Sequence, residues 1–87
     1  MAVVCIRGQL KALAAGQGEH QLEGHTVADL LLALEAEQPA LAGWILDERG
    51  QVRRHINVFV NGEQSRGEAP AAPDDRVDVI PAISGGT

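Results

Sequence analysis

Aromatic residues are nearly missing from this 87-residue chain, which has one Trp, one Phe and no Tyr. A stacking platform for single-stranded nucleic acid is close to excluded on that count, and the core must be built from Val, Leu, Ile and Ala. Basic residues are also few, with seven Lys and Arg against twelve Asp and Glu and a net charge of −5. The cationic footprint that phosphate backbones require is missing, so no nucleic-acid partner is expected, and a protein surface of opposite sign fits better. The single cysteine, Cys5, cannot form an internal disulfide, which suits a reducing cytosol and a cytoplasmic location. No apolar run reaches the roughly 18–20 residues of a bilayer span. The opening stretch 1-MAVVCIRGQLK-11 has no basic region before its apolar residues. Neither a membrane segment nor a secretory signal is therefore expected.

What is there is an ordinary globular balance, 45% apolar and 22% charged residues, in a length that holds one domain. Residues 2-AVVCI-6 have the length and β-branched content of a strand, with Val4 and Ile6 on one face and Val3 and Cys5 on the other. A glycine-punctuated loop, 8-GQLKALAAGQG-18, allows one helical turn with Leu10 and Leu13 as anchors. Residues 19-EHQLEG-24 read as an exposed second strand. The clearest helix is 26-TVADLLLALEAEQPAL-41, with Thr26 as N-cap and Asp29 as a short capping acid. Val27, Leu30, Leu31, Ala33 and Leu34 form its buried stripe, and Pro39 ends it near Glu37. Next comes an irregular stretch, 40–54, with a helical turn expected around Leu41 to Leu46 and Trp44 expected as a lid on the core. The best strand signal is 55-HINVFVNGEQ-64, where Asn61-Gly62 is the preferred type I′ hairpin pair. After a turn containing Asp74 and Asp75, 76-RVDVIPAI-83 alternates again.

One helix against a mixed four- or five-stranded sheet is an α+β arrangement. Setting the last strand parallel to the first buries the most aliphatic strands centrally, which is the β-grasp, or ubiquitin-like, roll. The expected division is a β-grasp domain over 1–81 and a flexible tail over 82–87 that carries Gly85-Gly86.

A catalytic site is hard to assemble from these residues. His20, His25 and His55 lack zinc-ligand spacing and have no second Cys to help, so no metal is expected. Cys5 alternates to the solvent or sheet-edge face, with no cationic or His neighbour in sequence to support a thiolate. Asp74 and Asp75 suit a turn better than a carboxylate pair. The ending 83-ISGGT-87 remains. Glycine is costly to order and lets a backbone approach a partner closely, so a small-side-chain arm leaving after Pro81 fits a narrow channel in another protein. A terminal glycine carboxylate can there attack the α-phosphate of ATP.

The β-grasp order, the hairpin 60-VNG-62, the turn 74-DDRV-77 and the ending 79-VIPAISGG-86 resemble the MoaD/ThiS family of ubiquitin-like sulfur carriers, over nearly the whole chain. The longer segment 49-RGQVRRHINVFVNGE-63 is similar to the CysO type within it. The resemblance implies a protein cosubstrate, not an enzyme, with no cofactor of its own. Gly86 would be the adenylate and thiocarboxylate site, and Ile83, Ser84 and Gly85 the residues recognised in the tail. Implied partners are an ATP-using, ubiquitin-activating-like adenylyltransferase/sulfurtransferase and a sulfur-accepting biosynthetic enzyme, such as a PLP-dependent cysteine synthase. Family members act with glycine last, whereas Thr87 follows Gly86 here. Three readings of Thr87 stay open: a proform cap that a JAMM-type metalloprotease removes, a residue foreign to the natural protein, or the mark of a copy that never carries sulfur. Two other readings remain open: a ubiquitin-like modifier joined through Gly86 to lysines, and a non-catalytic β-grasp binding subunit.

Pairing 55-HINVFV-60 with 76-RVDVIP-81 antiparallel brings Phe59 and Ile80 to the same outer face. An exposed aromatic beside an exposed aliphatic marks the expected partner interface.

Overall fold

Period-two alternation of aliphatic residues lays down a five-stranded sheet in the order β2-β1-β5-β3-β4. The computed structural model describes residues 1–81, so every expectation that falls on the tail, 82–87, lies outside the described residues. The strands are β1 (Ala2–Ile6), β2 (Glu19–Leu22), β3 (Ile56–Val60), β4 (Glu63–Ser65) and β5 (Arg76–Pro81). Two helices interrupt them, α1 (Gln9–Leu13) and α2 (Val27–Glu37), and a 3₁₀ turn follows at Pro39–Leu41. β5 runs parallel to β1, pairing Val4 with Val77 and Ile6 with Val79. On its other side it pairs antiparallel with β3, setting Val58 against Val79 and Val60 against Val77. The most aliphatic strands therefore occupy the centre, and the fold is a β-grasp.

The core lies between the sheet and α2. Val27, Leu30, Leu31 and Leu34 of the helix are fully buried together with Val4, Ile6, Val77 and Val79, and Leu10, Leu41 and Ile45 close the ends of the layer. Thr26 N-caps α2 by accepting from the Asp29 N–H. Asp29 reaches one residue further back than a capping box requires, and its Oδ2 accepts from the His25 N–H at 3.2 Å. Gly24 makes room for this turn, since a Cβ there would stand 2.7 Å from the Asp29 Cβ.

Four expectations need correction. The second strand is exposed on one face only: Glu19 and Gln21 face solvent, but pairing with β1 sets His20 against Val4 and Leu22 against Ala2, so both face the core and are buried. Burial of the His20 ring is tolerated because Nε2 meets the Gln17 carbonyl at 2.9 Å and Nδ1 the Glu37 carboxylate at 3.1 Å. The helical turn after α2 comes earlier, at Pro39–Leu41, where Pro at the first position presets φ. Trp44 is no lid. It is 40% exposed, because Leu41, Ile45 and Leu46 take the inward positions of this loop. Cys5 is neither at an edge nor open to solvent. Its strand has neighbours on both sides, and the residue is only 4% exposed.

The β3–β4 hairpin forms as the Asn-Gly pair predicts, with φ of 51° at Asn61 and 89° at Gly62. Asn61 does more than turn the chain. Its Oδ1 accepts from the Arg76 N–H at 3.0 Å, its Nδ2 donates to Asp75 at 2.9 Å, and its own N–H reaches the Arg76 carbonyl at 2.8 Å. The hairpin tip thus fixes where β5 begins.

Candidate functional site

The sheet face turned away from α2 carries the side chains that the core does not use. Register alone builds its central row, in which Glu19, Cys5, Asp78, Phe59 and Gln64 lie side by side across all five strands. The next row along β5 sets Ile80 against Asn57. Phe59 and Ile80 therefore share the outer face as diagonal neighbours, at a spacing of roughly 7–8 Å that long and aromatic side chains can span. Both are half-buried. The Gln64 amide donates to Asn57 Oδ1 at 3.1 Å and closes one side of the pair.

Charge closes the other side. Arg76 Nε and Arg7 Nη2 stand 3.4 Å and 3.6 Å from the same oxygen of Asp78, whose side chain is 16% exposed. That oxygen is shut off from solvent and accepts no well-aligned hydrogen bond among the described residues. The two arginines hold it by Coulomb attraction rather than by directed bonds. Alternation along 76–81 places Arg76 and Asp78 together on this face, two positions apart, but Arg7 was not legible as a partner. Arg7 lies beyond the end of β1, and only the parallel β1–β5 register brings it to Asp78.

The remaining candidates for chemistry separate. Burial pushes the Cys5 thiol above its ordinary value; nearby Arg76 opposes this, and Asp78 and Glu19 reinforce it. A protonated, buried thiol is a packing residue rather than a nucleophile. Asp75 is a turn residue. Its carboxylate accepts from the Ala72 N–H at 2.7 Å and from Asn61, and these bonds hold its pKa below the ordinary carboxylate value. His20 is buried on β2, whereas His25 and His55 are exposed in separate segments. Among the described residues, no three His, Cys, Asp or Glu gather where they could hold a metal ion.

Of the residues singled out in the sequence, Phe59 and Ile80 come together. Ile83, Ser84, Gly85, Gly86 and Thr87 lie outside the described residues. What is described is the root of that segment: β5 ends on Pro81, which pairs with Ile56 at the start of β3.

With sheet order, helix and tail root established, the chain matches the ThiS family over residues 4–86. It belongs to the ThiS family. Among its relatives, small archaeal modifier protein 3 of Haloferax volcanii is 43% identical over 65 residues, 70% of each chain. The sulfur carrier protein CysO of Mycobacterium tuberculosis is 31% identical over 83 residues, 88% of this chain and 89% of that one. The crystal structure of the Amycolatopsis orientalis BexX/CysO complex contains a chain that superposes with a TM-score of 0.87 at 26% identity. The match covers 99% of this chain and all of that one. This ThiS-family chain is thus similar both to a sulfur carrier protein and to a small archaeal modifier protein. No helix among the described residues is long and apolar enough to cross a membrane.

Proposed function

We propose that this chain is a sulfur carrier whose Gly86 carboxylate is adenylated and then converted to a thiocarboxylate, the sulfur of which passes to a biosynthetic enzyme. The observation that supports this reading is the Gly85-Gly86 pair placed just beyond β5 in a chain that belongs to this family. The proposed roles follow from chemistry. A ubiquitin-activating-like enzyme supplies ATP, and the Gly86 carboxylate attacks the α-phosphate and releases pyrophosphate. A sulfur donor then displaces AMP from the acyl carbon. Ile83, Ser84 and Gly85 fill the channel that guides the carboxylate, and Phe59 with Ile80 forms the docking patch beside it. The acceptor we propose is a sulfur-accepting biosynthetic enzyme such as a PLP-dependent cysteine synthase.

Thr87 is proposed as a cap. It moves the free carboxylate one residue outward, about 3.5 Å, and a misplacement of even 1 Å can cost on the order of a hundredfold in rate. A JAMM-type metalloprotease would expose Gly86 by hydrolysing the Gly86–Thr87 bond. A second reading, a modifier joined to lysines through Gly86, is favoured by the identity to small archaeal modifier protein 3. Intact mass separates the two after the chain ending at Gly86 is incubated with activating enzyme, ATP and a sulfur donor. A carrier gains one sulfur-for-oxygen exchange. Lysine-linked conjugates without that exchange would replace the carrier reading with the modifier reading. Equal pyrophosphate release from the chains ending at Gly86 and at Thr87 would remove the cap.

A further inference from the structure

A second surface adjoins the first at the β3–β4 hairpin and shares Asn57 and Gln64 with it. The loop after residue 50, the start of α2 and the segment after β4 enclose a half-open cavity of about 780 Å³. Its floor is apolar, formed by Val52, Ile56 and Val58, and its cations are Arg53, Arg54 and Arg66. Among the described residues, Glu68 is the one carboxylate on the lining. In a chain with only seven basic residues and a net charge of −5, collecting three of them in one groove is a pronounced asymmetry.

These three arginines differ from the others in their pairing. Arg7 and Arg76 share Asp78, and Arg49 pairs with Asp47 at 3.4 Å. Among the described residues, Arg53, Arg54 and Arg66 have no carboxylate within salt-bridge distance. Arg53 Nε is also shut off from solvent and has no acceptor among the described residues, an arrangement that costs free energy.

Position points to the partner that would face these three guanidinium groups. Ile56, part of the groove floor, is the residue paired with Pro81 at the root of the tail. From Pro81 to Gly86 the chain spans at most about 18 Å even when fully extended. A protein that grips Gly86 must therefore stand close to the groove. An acidic chain meeting a large partner also needs a local patch of opposite sign to orient the encounter.

We propose that this groove docks a carboxylate-rich segment of the protein that receives the tail, with Arg53, Arg54 and Arg66 as its anchors. The inference rests on the tail-handover reading above, and its test is separable from that reading. The first arm needs no enzyme. The full chain is titrated with a hexaglutamate peptide while the amide resonances of residues 50–54 and 64–68 are followed. Shifts confined to the groove are expected. They should weaken at least tenfold in the combined Arg53→Gln, Arg54→Gln, Arg66→Gln variant and persist with Lys at the same three positions. Shifts scattered over the surface, or unchanged in the Gln variant, would overturn the proposal. So would tighter binding of pyrophosphate than of hexaglutamate at the same amides, which would mark a small-anion site instead. If the triple variant does not fold, Arg66→Gln alone, at an exposed position, carries the comparison. The second arm measures pyrophosphate release by the activating enzyme. The Gln variant should raise KM at least tenfold with kcat little changed, and an unchanged KM would count against the docking role. If the unsubstituted chain ending at Gly86 is not adenylated at all, the functional reading fails while the titration still judges the groove.

Discussion

Asn61 combines a left-handed backbone with side-chain hydrogen bonds to Arg76 and Asp75, and replacing it separates two contributions. At φ 51° it occupies the left-handed region, where Asn is tolerated but Ala is not at ease, at a cost of about 1 kcal/mol. Its Oδ1 also accepts the Arg76 N–H at 3.0 Å, a bond worth a net of about 0.5–1.5 kcal/mol. The Nδ2 contact to Asp75 lies at the surface and is screened, so it adds little. Asn61→Ala should therefore destabilise the domain by about 1.5–2.5 kcal/mol. At about 4–8 °C per kcal/mol for a domain of this size, the melting temperature should fall by roughly 6–20 °C. Asn61→Gly keeps the backbone conformation and loses only the side-chain bonds, so it should recover about half of that loss. Thermal and urea unfolding of the two variants provide the comparison. An Asn61→Ala variant within about 0.5 kcal/mol of the parent would refute the view that this residue fixes the start of β5. If Ala and Gly are equally destabilising, the strain argument fails and only the hydrogen bonds matter.

Two further outcomes follow from the outer face and the β5 turn. Phe59→Ala and Ile80→Ala should each cost no more than about 1–1.5 kcal/mol of stability, since both side chains are already half-exposed, yet should raise the KM for adenylation about tenfold; normal kinetics in both would show the patch to be incidental. Aspartate is the poorer probe at position 59, because it would face Asp78 directly across the strands. Asp75 and Asp47 both have pKa values depressed by backbone hydrogen bonds. Their stabilisation is therefore complete above the unfolded carboxylate range, about pH 4, and is lost as pH falls through the lower folded values. Asp75→Asn should flatten that acid limb in urea titrations at pH 2 to 5, and an unaltered limb would assign acid sensitivity to other groups.

The sequence by itself determined the elements, their order and the sheet's two faces, because period-two and helical spacings of Val, Leu and Ile report burial directly. Val4, Ile6, Val58, Val77 and Val79 all face the core that the alternation assigns to them. The Asn61-Gly62 turn and the Thr26 cap were equally legible, since each depends on residues within three or four positions of one another. Composition alone left no strong candidate for a nucleophile or metal ligand, and the Gly-Gly end directed attention to position 86. Tertiary structure decided what local pattern cannot express. His20 looked solvated until the β1–β2 register turned it to the core and brought Glu37 and the Gln17 carbonyl to its ring. Trp44 looked like a lid by size, but the loop had room inside only for Leu41, Ile45 and Leu46. Cys5 became inert because strands paired on both sides of β1 bury its thiol, with the surrounding charges a smaller effect. Arg53, Arg54 and Arg66, spread over fourteen residues of sequence, became one cationic groove only when the β3–β4 hairpin folded the two segments together. Contacts between residues distant in sequence depend on strand register and loop path, and these are set by the packing of the whole chain.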